Sequence, residues 1–334
     1  MIKLLDCTLR DGGYINDWMF GRRAIDEITK KLVDSNIDII ELGFLKDEQE
    51  DHNRTVFNSV KRLIPLIGKK KPGTLYAAMI DVQGRIPIEM IDPCTPETID
   101  IIRVIVWKRL LSQDFEYCKK IVENGYKLFI QPARVDQYTD EEFINMIHQF
   151  EVLTPMAMYI VDSWGTLTIE KAMHYYKLME ANLNKQILIG YHGHNNMQQA
   201  FGIAEALICN KGDRDLIIDS SIYGIGRGAG NLNTEIIANY LNTNFNYKYD
   251  VENIISLYDN YIKDIYDKFS WGYSIPLLIT AINHCNPEYG IYCEKNGLSE
   301  MQTLEVINQL NGGNKIRFNK ELIKKIVDSI KRNK

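Results

Sequence analysis

The stretch Ile187-Leu188-Ile189-Gly190-Tyr191-His192-Gly193-His194 is a short β-branched apolar run that closes on two histidines one residue apart. Side chains alternate faces along a strand, so His192 and His194 point the same way and can converge on one ion. The run also has counterparts along the chain, at intervals of roughly 25 to 35 residues. They are Ile2 to Thr8, Ile37 to Phe44, Thr74 to Ile80, Ile101 to Trp107, Lys127 to Gln131, Met158 to Asp162, Ile187 to Tyr191 and Leu216 to Ser220. Most are followed by an amphipathic stretch of helical spacing, such as Arg22 to Ser35, Asp114 to Asn124, Asp140 to Phe150, Thr168 to Ala181 and Asn196 to Asn210. Eight strands joined by helical crossovers predict an α/β fold, a (β/α)8 TIM barrel.

After about Phe245 the alternation stops, and Val251 to Lys268 and Lys320 to Lys334 read as helices. The expected organisation is a barrel over 1–245 and a helical C-terminal extension over 246–334. No Pro-, Gly- or Ser-rich linker separates them, so the extension is expected to pack on the barrel.

Composition excludes several classes. Of 334 residues, 45% are hydrophobic and 25% charged, a globular balance. No apolar stretch reaches the roughly 18 residues of a spanning helix, and Met1-Ile2-Lys3-Leu4-Leu5-Asp6 lacks a signal-peptide plan, so the expectation is a cytoplasmic protein without a membrane partner. The net charge of -5 gives no reason to expect nucleic acid, and Lys69-Lys70-Lys71 before Pro72-Gly73 reads as a solvated turn. The six cysteines (Cys7, Cys94, Cys118, Cys209, Cys285, Cys293) form no C-x-x-C pair and are expected to be reduced thiols.

In such a barrel, function collects at the carboxyl ends of the strands. Asp11 follows the first run and His192 and His194 the seventh, with one strand between, so the strand axes lie roughly 10 Å apart at about 4.8 Å per step. Two imidazoles and a carboxylate leave positions open for substrate and water, unlike a closed structural zinc site. Arg10, beside Asp11, has a planar donor fork that holds a carboxylate or stabilises an enolate oxygen. A structural salt bridge, with Asp6 as its candidate partner, is the other reading of Arg10, and separate polar residues at a strand end the other reading of the histidines. The glycine-rich segment Gly224-Ile225-Gly226-Arg227-Gly228-Ala229-Gly230-Asn231 lacks the phosphate-loop spacing. It reads as a loop that shapes the barrel mouth and brings Asn231, a further candidate ligand, toward the metal.

Thr8-Leu9-Arg10-Asp11-Gly12-Gly13, His192-Gly193-His194-Asn195-Asn196 and the glycine-rich loop, in this order, resemble the DRE-TIM metallolyase (HMG-CoA-lyase-like) superfamily over residues 1–245, and most of all its 4-hydroxy-2-oxovalerate aldolase branch. The resemblance implies that Asp11, His192 and His194 bind Mn²⁺ or Mg²⁺ and that Arg10 stabilises an enolate derived from a 2-keto acid. It implies a carboxylate-holding role for Ser163 and a catalytic role for Tyr273 of the extension; otherwise these are a turn hydroxyl and a packing aromatic. Two departures stand out. Tyr14 occupies the position of the aldolase's histidine base, which leaves Tyr14, a metal-bound water or another residue as the base. The glycine-rich loop also lacks the catalytic cysteine of HMG-CoA lyase. The expected function is a metal-dependent aldolase, a lyase joining or parting pyruvate, or a similar keto acid, and an aldehyde. The expected partners are those small molecules, with a second copy of the chain or a dehydrogenase as possible macromolecular partners. A Claisen-type acyl-CoA synthase like isopropylmalate synthase and a metal-binding barrel without catalysis are the alternatives.

Overall fold

A computed structural model describes residues 1–81 and 84–332. Its centre is a closed ring of parallel strands: β1 (Ile2–Asp6), β2 (Ile39–Leu45), β3 (Leu75–Ile80), β4 (Ile101–Val106), β5 (Lys127–Pro132), β6 (Ala157–Asp162), β7 (Leu188–Gly193) and β8 (Leu216–Ser220). Each pairs with its neighbour in sequence, and β8 returns to β1 through Ile2↔Leu216 to Asp6↔Ser220. The chain folds as a TIM barrel with a helical C-terminal region, and all eight apolar runs are its strands. An additional two-residue strand, Val56–Phe57, lies beside β2 at Phe44.

Alternation along the strands sorts side chains into two cores. Leu5, Ile39, Ala77, Ile101, Phe129, Ala157, Tyr159 and Ile217 fill the barrel interior. Leu4, Ile40, Tyr76, Ile102, Leu128, Ile160, Tyr191 and Ile218 face the surrounding helices. Gly190 lies on the inward face of β7, where a Cβ would stand 2.4 Å from the Tyr159 ring, so the absent side chain makes room for that tyrosine.

The helices follow the expected spacing with adjusted ends. Ile25, Ile28, Thr29 and Leu32 are the buried face of Arg22–Asp34, and Thr139 opens Asp140–Glu151 with a capping box to Glu142. The stretch expected as a helix from Asn196 begins only at Ala200, because Gln198 adopts a left-handed backbone (φ 55°) and the Asn195 side chain accepts the Ala200 N–H. Likewise, Val251 to Lys268 is not one α-helix. A π turn at Tyr258–Ile262 interrupts it, and the Tyr258 ring packs 4.4 Å from that of Tyr223. Lys70 and Lys71 do more than solvate a turn: Lys70 pairs with Asp100 at 2.7 Å, and Lys71 donates to the Val33 carbonyl. The last helix runs Lys320–Arg332, and the final two residues of the expected one lie outside the described residues.

Ile254, Leu257 and Ile262 pack into the barrel's outer core. Beyond them Ile279, Tyr289, Val306, Ile323 and Val327 form a separate small core among the C-terminal helices. No described helix is long and apolar enough to cross a membrane.

Candidate metal centre

Asp11 and Arg10 do not lie on a strand. The chain turns at Cys7 into a single helical turn, Thr8–Asp11, at the carboxyl end of β1, and this turn places both side chains over the barrel mouth. His192 is on the inward face of β7 and His194 just beyond its end, where it makes an isolated bridge to Asn231. Ligand atoms of Asp11, His192 and His194 all lie within 4.8 Å of one another, and the three residues are buried. The glycine-rich loop closes the site from the β8 side, where the Asn231 amide donates to Asp11 Oδ2 at 2.9 Å and the Arg227 N–H to the same oxygen at 3.2 Å.

A chain of buried charge that sequence reading missed supports these groups. Asp11 pairs with Arg10, whose Nε donates to Glu41 at 2.9 Å. Glu41 also accepts from Arg103 Nη1 at 2.7 Å, Arg103 pairs with Asp219, and Asp219 Oδ2 accepts from His192 Nδ1 at 3.0 Å. Arg103 is wholly buried. The partner of Arg10 is therefore Glu41, not Asp6. Asp6 has the parity of Leu4 and faces the helices, where it accepts from the Thr8 N–H and the Thr234 hydroxyl. The missed residues do carry a sequence signal: each is a charge inside an apolar run, in Ile40-Glu41-Leu42, Ile102-Arg103-Val104 and Ile218-Asp219-Ser220.

The donor set fits a divalent cation. Three carboxylates (Asp11, Glu41, Asp219) against two guanidiniums (Arg10, Arg103) leave surplus negative charge in a buried place, which a cation offsets. Asp219 accepts a hydrogen bond from the Nδ1–H of His192, so Nε2 keeps the lone pair, the usual way a carboxylate orients a ligating histidine. His194 Nδ1 and Asn231 Oδ1 are buried acceptors without a hydrogen-bond partner, an expensive arrangement unless something coordinates them. Burial lowers the His194 pKa to about 3, only partly offset by Asp11, so the ring is neutral at physiological pH. Burial alone would raise the Asp11 pKa, but Arg10, then His194 and His192, hold it well below the usual carboxylate range.

The other expected residues are placed as follows. Tyr14 packs edge-on against Trp18, with ring centroids 4.9 Å apart, and the Arg227 guanidinium lies 5.7 Å from its ring centre. Tyr14 as a whole is 39% exposed. Desolvation, only partly offset by Arg227, pushes its phenol up to about 12. Ser163 follows β6, and its hydroxyl accepts the Arg134 N–H at 3.1 Å. Tyr273 is 46% exposed in the loop before Ile275 and makes no side-chain hydrogen bond among the described residues. The ligand cluster thus gathers Asp11, His192, His194, Arg10 and Asn231, while Ser163 and Tyr273 lie outside it.

A family model described as HMGL-like matches residues 1–260. The chain belongs to the HMGL-like family. It is 21% identical over 257 residues to 4-hydroxy-2-oxovalerate aldolase of Bacillus cereus, covering 75% of this chain and 72% of the relative. It is 23% identical over 246 residues to oxaloacetate decarboxylase of Mycobacterium tuberculosis, covering 70% and 68%. The fold matches the carboxyl transferase domain of Rhizobium etli pyruvate carboxylase, solved with pyruvate, at a TM-score of 0.73 and 14% identity, over 99% of this chain and 62% of the other. In this HMGL-like chain the three motifs that suggested the family therefore lie at one barrel mouth.

Proposed function

We propose that this chain is a divalent-metal-dependent aldolase that makes or breaks a C–C bond between pyruvate, or a similar 2-keto acid, and an aldehyde. The observation that carries the reading is the Asp11–His192–His194 cluster with its unpartnered His194 Nδ1 and Asn231 Oδ1, set against Arg10, whose Nη2 is also buried without a partner. These residues would hold Mn²⁺ or Mg²⁺, with Asn231 Oδ1 as a further ligand. When bound, the ion supplies Lewis-acid polarisation of the keto acid's oxygens.

Arg10 is fixed by Glu41 and Asp11, so its free Nη2 is a preorganised donor for the oxygen that becomes negative when C3 of the keto acid gives its proton to a water at the site. In condensation, C3 attacks the aldehyde carbon and the new alkoxide needs a proton. Tyr14, with its phenol near 12, remains protonated at neutral pH and suits that donation. Ser163, after β6, would hold the keto acid's carboxylate and Tyr273 would take part in catalysis, as the family resemblance implies.

Retro-aldol turnover tests the reading. A 4-hydroxy-2-keto acid incubated with the protein and Mn²⁺ should release pyruvate, measured by coupled reduction, and EDTA should stop the release. No pyruvate from any such substrate would sink it. The decarboxylase relative favours a second reading, loss of CO₂ from a 2-keto diacid such as oxaloacetate, through the same enolate. CO₂ release without an aldehyde product would select it.

A further inference from the structure

Among the arginines near the mouth, Arg10, Arg103 and Arg134 are committed. Arg10 and Arg103 sit between buried carboxylates. Arg134 grips Asp136 through two bonds of 2.7 Å and lies 3.3 Å from the Trp164 ring centre. Arg227 differs. Its Nη2 reaches Asn286 Oδ1 only at 3.4 Å and its Nε lies 3.7 Å from Glu288, beyond hydrogen-bond range. The Nε atom has no hydrogen-bond partner although it is buried, and the side chain as a whole is 27% exposed.

The loop around Arg227 is built to hold this one side chain at the site. A Cβ on Gly226 would stand 2.3 Å from Asn231 Nδ2 and 2.6 Å from Asp11 Oδ2; one on Gly228, at φ 64°, would stand 2.9 Å from Asn196 Oδ1. Both flanking positions are closed to side chains, while the Arg227 N–H is fixed on Asp11. The guanidinium therefore leaves from the ligand cluster, passes Tyr14 and ends under the start of the helix Pro287–Lys295.

We infer that Arg227 selects the aldehyde, and that the preferred aldehyde carries an anionic group, carboxylate or phosphate, which the guanidinium binds in place of its loose contact with Glu288. The inference rests on the aldolase reading and names the chemical class of its second substrate. A planar fork with unfilled donors beside a group that moves protons is suited to a charged substituent. Glu288, 41% exposed, fills the anion's place when no substrate is present.

The test compares aldehydes of similar length with the Mn²⁺-loaded full chain: propionaldehyde, succinic semialdehyde and glyceraldehyde 3-phosphate. With pyruvate as donor, kcat/KM for at least one anionic aldehyde should exceed that for the neutral one by roughly 10-fold or more, the scale of a charge-assisted hydrogen bond. Which anionic aldehyde leads separates carboxylate from phosphate. Arg227→Gln should erase the preference, Arg227→Lys should keep part of it, and Glu288→Gln should lower KM for the anionic aldehyde alone. Calorimetric titration with the same compounds, with and without Mn²⁺, needs no turnover. Anion-selective binding that survives metal removal and is lost in Arg227→Gln supports the site even where no product forms, a result that would retire the aldolase reading alone. Equal kcat/KM and equal affinity for neutral and anionic aldehydes, or a preference that persists in Arg227→Gln, overturns the inference.

Discussion

Asp219 touches none of the open ligand atoms, yet it decides how His192 presents itself. The Asp219→Asn amide can offer its NH₂ where Nδ1 needs an acceptor, and it leaves Arg103 without a full partner. Loss of such an orienting carboxylate typically costs about 10- to 100-fold in metal affinity, so Mn²⁺ titration of Asp219→Asn should show a weakening of that order. Unchanged affinity would make Asp219 only a partner for Arg103. Arg10→Lys should lower kcat far more than metal affinity, because an ammonium cannot bridge Glu41 and Asp11 while presenting a free planar donor. Tyr14→Phe, which removes only the hydroxyl, should cost on the order of 10²-fold in turnover. Rates unaffected by that change across pH would reduce Tyr14 to a pocket wall. At this scale the sequence was partly legible. Arg10, Asp11, His192 and His194 are adjacent or two apart, so local spacing reveals them. Glu41, Arg103 and Asp219 are 62 and 116 residues apart along the chain and meet only because the barrel closes. Strand parity excludes Asp6, the candidate partner of Arg10, since it turns Asp6 to the helices with Leu4 and Glu41 to the barrel interior with Ile39.

The loop Gly224 to Asn231 is an element whose glycines act through packing. Gly226→Ala would push a methyl into Asn231 and Asp11, so it should weaken metal binding while the thermal melt changes by no more than overpacking allows, about 1–3 kcal/mol. The other side of this loop is held by aromatic rings. Trp271 Nε1 donates to the Tyr223 carbonyl at 3.1 Å, and Tyr223 packs on Tyr258 and Tyr266. Periodicity showed the helix that carries these tyrosines but not its π turn, because the interruption serves a tertiary contact with Tyr223. The two-residue strand Val56–Phe57 escaped reading for a related reason, since so short a run has no period to detect.

Across the whole molecule, the fold was legible because each barrel strand is an apolar run of sufficient length and most crossovers keep a helical stripe. The barrel's stability should also carry a pH signature from carboxyls outside the ligand cluster. Burial, partly offset by backbone hydrogen bonds, raises both Asp6 and Asp162 to about 6. A carboxyl whose folded pKa lies above its unfolded value binds more protons when folded, so its contribution favours folding below about pH 4 and is lost as pH rises through about 6. Asp162→Asn should remove part of that slope, and urea denaturation of wild type and variant from pH 4 to 7 measures it. Parallel pH dependences would show that Asp162 does not titrate in this window. At the mouth, Asp11, His192 and His194 and the free donor of Arg10 would hold a cation and stabilise an enolate. Exchange of the pyruvate methyl protons in deuterated water, followed by NMR, tests it without knowledge of the aldehyde. Exchange should occur with Mn²⁺, stop with chelator, and be lost in His192→Ala and His194→Ala proteins that remain folded; exchange that persists in those variants, or its absence from metal-loaded wild type, would rule out this site as the one that forms the enolate.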